Sequence, residues 1–142
     1  MAALYGTYTG ARTTTPPSQI DGGVQGARVR VYREKITLAA QTASDTITIG
    51  YPLKGESFLF GTHTTGTSLG SSTVAVGISG ATAKFKAAAT FTTTLTPTLW
   101  GAVAAITDLD PLSAGVEVFI TIAAATMPGS GTYFTDMYFC AT

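Results

Sequence analysis

Short segments in which apolar and polar residues alternate constrain the fold of this chain more than any other feature. In residues 116–122 every second position is valine or isoleucine, and a two-residue period indicates a strand with one buried face. Similar segments follow one another along the chain, giving about eight short strands with turn signals every 8–15 residues or so. Strong helix formers are scarce outside the alanine clusters. The pattern predicts an all-β fold, an antiparallel β-sandwich or jelly-roll-like single domain.

Three local expectations accompany this pattern. The apolar parity changes between Val31 and Ile36, which predicts a β-bulge near Arg33–Lys35. Phe58 and Phe60, two positions apart, are expected on one face of a strand. Residues 81–90 could form two helical turns of alanine and lysine, but the threonine run that follows favours an extended chain because β-branched residues lose rotamers in a helix.

Composition divides the chain into an arm, residues 1–27, and a β-sandwich domain, residues 28–142. The arm has no periodicity, and its glycines and the Pro16–Pro17 pair prevent a regular element. It nevertheless carries side chains suited to an interface, namely Leu4, Tyr5, Tyr8 and Arg12. We expect the arm to contribute more to attachment to a partner than to folding. The alternative is that it covers the outer face of the domain's own sheet.

The last strand, residues 133–141, is apolar on both faces. It therefore either lies under the arm or forms a subunit interface, for which Tyr133, Met137 and Phe139 are the candidate residues. The chain has 8 basic and 8 acidic residues and only 11% charged residues, so little charge keeps copies apart. We expect a homo-oligomer, most simply a homotrimer, and a component of a larger assembly.

The same composition excludes several classes of function. A net charge of zero supplies no field for phosphates, so no nucleic-acid partner is expected. No apolar stretch is long enough for a membrane span, and the first ten residues do not resemble a signal peptide. One histidine and one cysteine argue against a metal site, a cofactor and a disulfide framework. Cys140 is interpreted as a small packed side chain.

No group of residues predicts catalysis. His63 lies in a threonine-rich run without the G-x-S-x-G pattern and is interpreted as a surface or loop histidine. Asp108 and Asp110 lack the further acidic residues of a calcium loop, so a turn capped by aspartate is expected. The basic residues at alternate positions favour a solvated or ion-paired face, with docking to an acidic protein as the alternative: Arg28, Arg30, Arg33, Lys35, Lys84 and Lys86. We expect no enzyme and no small-molecule substrate.

The domain resembles a known family in its composition and in several short sequence stretches. The stretches that carry the resemblance are residues 36–50, 66–77 and 83–92, rich in threonine, alanine and glycine. They are similar to the capsid decoration, or cement, proteins of tailed bacteriophages. The resemblance implies a β-rich subunit, commonly trimeric, made in the host bacterial cytoplasm and bound to the major capsid protein on the exterior of the virion. It implies head stabilisation by contact, without catalysis.

A second function class stays open beside this one. A phage fibre or tail module, or a carbohydrate-binding β-module, would have a similar strand pattern. Sugar sites, however, usually present an exposed aromatic residue with Asp or Asn beside it. Trp100 is the one tryptophan, it follows Leu99 in an apolar segment, and the chain contains no asparagine.

Overall fold

The computed structural model describes residues 28–141 of the 142-residue chain. The arm, with Leu4, Tyr5, Tyr8 and Arg12, lies outside the described residues. Within residues 28–141 the elements are strands and loops, apart from one 3₁₀ turn at Ile106–Leu109, and no helix there is long and apolar enough to cross a membrane. The eight strands are β1 (Arg28–Thr37), β2 (Thr46–Gly50), β3 (Ser57–Thr65), β4 (Thr73–Ile78), β5 (Ala81–Thr90), β6 (Thr98–Leu99), β7 (Val118–Ala123) and β8 (Thr132–Ala141).

The strands form two four-stranded antiparallel sheets that pack face to face. One sheet has the order β1-β8-β3-β6 and the other the order β2-β7-β4-β5. Most connections cross from one sheet to the other, and the first and last strands of the described chain are neighbours. This is the order of an eight-stranded jelly roll, so the predicted all-β sandwich is confirmed. The extended reading of residues 81–90 is also confirmed, because they form β5.

The core lies between the sheets and consists of the side chains that each strand points inward. In β7 the inward residues are Val118, Ile120 and Ile122, each 0% exposed. Aromatic rings fill the centre, with Phe58 packed against Phe85 and Phe139 at centroid separations of 4.9 and 5.5 Å. The alternation seen in the sequence thus becomes one continuous apolar layer.

Two local expectations about parity were wrong. β1 pairs with β8 in unbroken register from Arg28↔Ala141 to Thr37↔Thr132, without the bulge predicted near Arg33–Lys35. The change of apolar parity in β1 instead reflects valines that point away from the core. A register shift does occur in β3 between Phe58 and Phe60. The extra residue turns Phe58 inward, 5% exposed, and Phe60 outward, 44% exposed, so they lie on opposite faces.

Candidate interaction surface

The outer face of the sheet β1-β8-β3-β6 carries apolar side chains that the core does not cover. In β8, Tyr133, Met137 and Phe139 are 0% exposed and pack between the two sheets. They are part of this chain's own core, so their side chains offer no surface to a partner. Their assignment to an interface was wrong because side chains alternate between the two faces of a strand, and a shift of one position moves a side chain to the other face. The outward residues of β8 include Phe134 and Tyr138, both half-buried.

The outward residues of neighbouring strands form rows with those of β8. Val31 is opposite Tyr138 on one side, and Phe60 is opposite Tyr138 on the other. The rings of Phe60 and Tyr138 are stacked with centroids 4.3 Å apart. Val29 and Val31 are 55% and 53% exposed. We call this surface the outer apolar face and define it by Val29, Val31, Phe60, Phe134 and Tyr138.

One ion pair lies within the outer apolar face. The Arg33 guanidinium contacts the Asp136 carboxylate through two hydrogen bonds, Nε to Oδ1 at 2.6 Å and Nη2 to Oδ2 at 2.9 Å. Arg33 also lies 5.7 Å from the centre of the Phe134 ring. The hydrogen bonds and the charge of Asp136 raise the pKa of Arg33. The charges of Arg33 and Asp136 therefore neutralise each other.

A concave apolar site adjoins this face at the edge of the sheet. It is a cleft of about 310 Å³ between the first half of β3 and the loop that follows β6. We call it the edge cleft. Its apolar lining includes Phe58, Leu59, Phe60, Leu99, Val103 and Leu109.

The edge cleft exists because β6 is only two residues long. β6 pairs with β3 at Thr62 and His63 alone, which leaves the first half of β3 at the sheet edge. Leu99 points outward and is 65% exposed, whereas the next residue, Trp100, turns inward and is 6% exposed. Gly61 makes room for that indole, because a Cβ at Gly61 would lie 2.3 Å from the Trp100 ring.

His63 is buried in the core, so its interpretation as a surface or loop histidine was wrong. It is 1% exposed and packs between Trp100 and Tyr133, with both ring centroids at 5.2 Å. The Trp100 Nε1–H donates to His63 Nδ1 at 3.1 Å, and the Tyr133 hydroxyl also contacts Nδ1. Because an indole can only donate, Nδ1 is the acceptor and the imidazole proton lies on Nε2.

The surroundings of His63 hold it neutral. Burial lowers the pKa of His63 well below 6.5, with a further contribution from the positive charge of Lys86. Burial also raises the pKa of the Tyr133 phenol. No polar atom among residues 28–141 pairs with His63 Nε2. A neutral imidazole sealed among aromatic rings supports packing and has no route to a substrate.

The acidic residues hold loops in place. Glu56, 2% exposed, accepts hydrogen bonds from the Tyr32 hydroxyl at 2.7 Å and the Leu53 amide at 2.9 Å, and its Oε1 lies 3.0 Å from Arg30 Nη1. Asp108 accepts a hydrogen bond from the Ala105 amide at 2.9 Å, which caps the 3₁₀ turn. Within residues 28–141 no three His, Cys, Asp or Glu side chains come close enough to hold a metal ion.

Several of the basic residues make short-range pairs within the chain. Arg30, Arg33 and Lys84 are ion-paired with Glu56, Asp136 and Asp108 respectively. Lys86 is 4% exposed, and its ammonium donates to the carbonyls of Val74 at 2.9 Å and Ala87 at 3.0 Å. Burial lowers the pKa of Lys86. The ion-paired alternative predicted from the sequence thus holds for these three residues.

Comparison with known proteins supports the fold. Neither a protein-family model nor a curated protein sequence matches this chain. A chain in the structure of the capsid of Ralstonia phage GP4 aligns with a TM-score of 0.60 at 19% identity, over 81% of this chain and 85% of that chain. A chain in the cyanophage Pam1 capsid asymmetric unit aligns with a TM-score of 0.60 at 14% identity, over 82% and 86% of the two chains.

A third similar chain belongs to the acidic stable capsid structure of Helicobacter pylori bacteriophage KHP30. It aligns with a TM-score of 0.53 at 9% identity, over 78% of this chain and 86% of that chain. At such identities the similarity is one of fold. In all three cases the alignment includes most of both chains, so the shared unit is the whole sandwich.

Proposed function

We propose that this chain is a structural protein of a bacteriophage virion that binds the outside of the head and stabilises the capsid by protein–protein contact, without catalysis. The observation that carries the proposal is the similarity of the whole jelly roll to chains in three phage capsid structures. The absence of a clustered reactive or metal-binding site among residues 28–141 is consistent with a protein that acts by contact. The proposed partner is the major capsid protein of the same virion.

Contact proteins on a symmetric shell gain strength from repetition. Each copy binds weakly, and copies linked to one another bind the shell together, which raises the overall affinity without any new contact. We propose a homotrimer for this reason. Its subunit interface is the outer apolar face, which presents exposed valines beside the half-buried aromatic rings of β8. The interface near the C-terminal strand expected from the sequence is thereby moved to the other side of β8.

A charge in the outer apolar face tests the trimer. We expect the natural chain to sediment as a trimer and Val31→Lys to sediment as a monomer, because the ammonium would be desolvated in the interface. Val31 is 53% exposed within one subunit, so the fold tolerates the lysine. Thr46→Lys, on an exposed position of β2 in the other sheet, is the matched control and should remain trimeric. A natural chain that stays monomeric at tens of micromolar contradicts an intrinsic trimer.

Trp100 gives the carbohydrate-binding alternative no support. The aromatic residue that would stack on a sugar ring needs an exposed face. Trp100 is 6% exposed and its indole N–H donates to His63. A fibre or tail module differs from a head protein in its position on the virion, which can be determined by labelling.

Reconstitution on phage heads tests the proposed function. Heads of the phage that encodes this chain are prepared without it, and the purified protein is added. We expect saturable binding, a constant copy number per head, and a higher temperature of DNA release. Val31→Lys should bind more weakly than Thr46→Lys, because a monomer loses the gain from multivalency. Immunogold labelling of intact virions on the tail, or no label at all, would refute a head protein.

A further inference from the structure

The edge cleft is a concave feature of the described domain to which the proposed function assigns no role. Its walls are the first half of β3 on one side and the loop from Leu99 to Val103 on the other. Its volume of about 310 Å³ lies at the lower end of ordinary ligand pockets, roughly 300–1,000 Å³. The lining contains no charged side chain. A flat sheet face from another subunit cannot enter such a concave site, whereas a single extended segment can.

The chain itself carries a segment of matching chemistry. Residues 2–11 contain no Asp, Glu, Lys, Arg or His, and they include Leu4, Tyr5 and Tyr8. Tyrosine combines a large apolar ring with a hydroxyl that can remain at the solvent edge of a cleft. Both the segment and the cleft lining are uncharged and largely apolar, so burying one against the other desolvates no charge.

The point where the arm joins the domain favours binding within one chain. Val29, Cys140 and Ser57 lie in one row across β1, β8 and β3, so the chain enters β1 at the level where β3 begins. Strands are spaced about 4.8 Å apart, which places the far side of β3 roughly 15 Å from the start of β1. Residues 9–27 reach about 60 Å when extended, so they span this distance with ample length.

Three glycines precede β1 in the sequence, namely Gly22, Gly23 and Gly26. Glycine adopts backbone conformations that other residues rarely do, so a return of the chain across the sheet edge would meet little steric resistance here. A tether of this length holds the segment at an effective concentration of about millimolar at its own domain. Even a weak contact is then occupied within the chain, ahead of binding to a separate molecule.

We propose that the segment around Leu4, Tyr5 and Tyr8 binds in the edge cleft of its own domain and completes the open edge of the sheet beside β3. This placement differs from both expectations drawn from the sequence, attachment to a partner and cover of the sheet's outer face, because the segment lies at the sheet edge. It leaves the outer apolar face of β1 and β8 available for subunit contact. The placement is a property of the purified chain and goes beyond the proposed function.

The single tryptophan provides the readout. Trp100 lies in the wall of the edge cleft, so acrylamide quenching of its fluorescence reports whether the cleft is covered. The full-length triple variant Leu4→Ser, Tyr5→Ser and Tyr8→Ser should show stronger quenching and red-shifted emission relative to the natural chain. A peptide of residues 1–12 added at about millimolar concentration should reverse both changes in a saturable way.

Two leucine variants show where the segment binds. Leu99→Ser removes an exposed side chain from the edge cleft, and Leu95→Ser removes an exposed leucine whose amide bonds to Thr65, at the other end of β3. In the otherwise natural chain we expect stronger quenching in Leu99→Ser and natural quenching in Leu95→Ser. This pair keeps the test decisive if the triple variant does not fold.

Three results would overturn the proposal. The first is natural quenching in the triple variant with a cooperative melt retained. The second is equal quenching in Leu99→Ser and Leu95→Ser. The third is quenching that weakens as the concentration of the natural chain rises, which would mean that a second copy supplies the segment. None of these measurements uses phage heads, so failure here is distinguishable from failure of the proposed function.

Discussion

The side chain of His63 links the two aromatic residues that line the centre of the sandwich. Its Nδ1 accepts from Trp100 and contacts the Tyr133 hydroxyl, so one imidazole satisfies two buried polar groups. Protonation of Nδ1 would set an N–H donor against the Trp100 N–H donor and place a positive charge in a site with little water. The neutral imidazole is thus part of the core, and its titration is coupled to folding.

Acid should destabilise the protein through His63. The folded pKa is lowered below 6.5, so at pH values between the two pKa values the unfolded chain binds a proton that the folded chain does not. The free energy of unfolding should therefore fall as the pH drops below about 6.5, with a limiting slope of about 1.4 kcal/mol per pH unit. His63 is the one histidine in the chain, which makes urea melts between pH 7.5 and 5 a clean measurement. An imidazole NMR titration in the folded state with a midpoint near 6.5 would contradict this.

Gly61 should tolerate no larger side chain. A Cβ there would meet Trp100 ring atoms at 2.3–2.5 Å, and the indole is held from behind by His63. Gly61→Ala should cost about 1–3 kcal/mol of unfolding free energy, as expected for overpacking of a core. Gly66→Ala is the matched control in the same region, because a Cβ there would lie 3.8 Å from the Thr132 carbonyl oxygen, an ordinary van der Waals contact. Equal stability of the two variants would show that Trp100 can move without penalty.

Among the strands, β8 contributes to both the core and the proposed interface, and it lies between β1 and β3 in its sheet. Its inward side chains complete the core, and its outward side chains form the middle of the outer apolar face. The two sets alternate along one strand. A single substitution therefore affects either the folding of the subunit or its surface, according to parity.

The two faces of β8 should respond differently to truncation. Met137→Ala removes a side chain that is 0% exposed and should lower the unfolding free energy by about 2–5 kcal/mol. Tyr138→Thr removes an outward ring stacked on Phe60, so it should affect stability less and oligomerisation more. Chemical unfolding and sedimentation of both variants make the comparison. Greater loss of stability in Tyr138→Thr would reverse the assignment of faces.

At the scale of the whole molecule, the jelly roll closes around aromatic and aliphatic side chains and leaves its polar groups in small local pairs. The melting temperature should therefore be the same with and without EDTA, because residues 28–141 bring no three potential ligands together. Calorimetry of the full chain measures this directly. A drop of many degrees in EDTA would reveal a structural cation site.

The two-residue alternation was sufficient to predict the class of fold. Strong alternation in residues 116–122 and the extended character of residues 81–90 both reappear as strands. The reason is local, since a strand that is buried on one face must repeat its apolar side chains every second residue.

Parity and burial were decided by the tertiary structure. In β8 both faces are apolar, so the sequence contained no signal to say that Tyr133, Met137 and Phe139 face inward. In β3 one bulged residue separates the faces of Phe58 and Phe60. His63 was missed because its neighbours are threonines, and only the pairing of β3 with β6 brings Trp100 over it. Alternation is a property of one strand, whereas the inward face is defined by the sheet that packs against it.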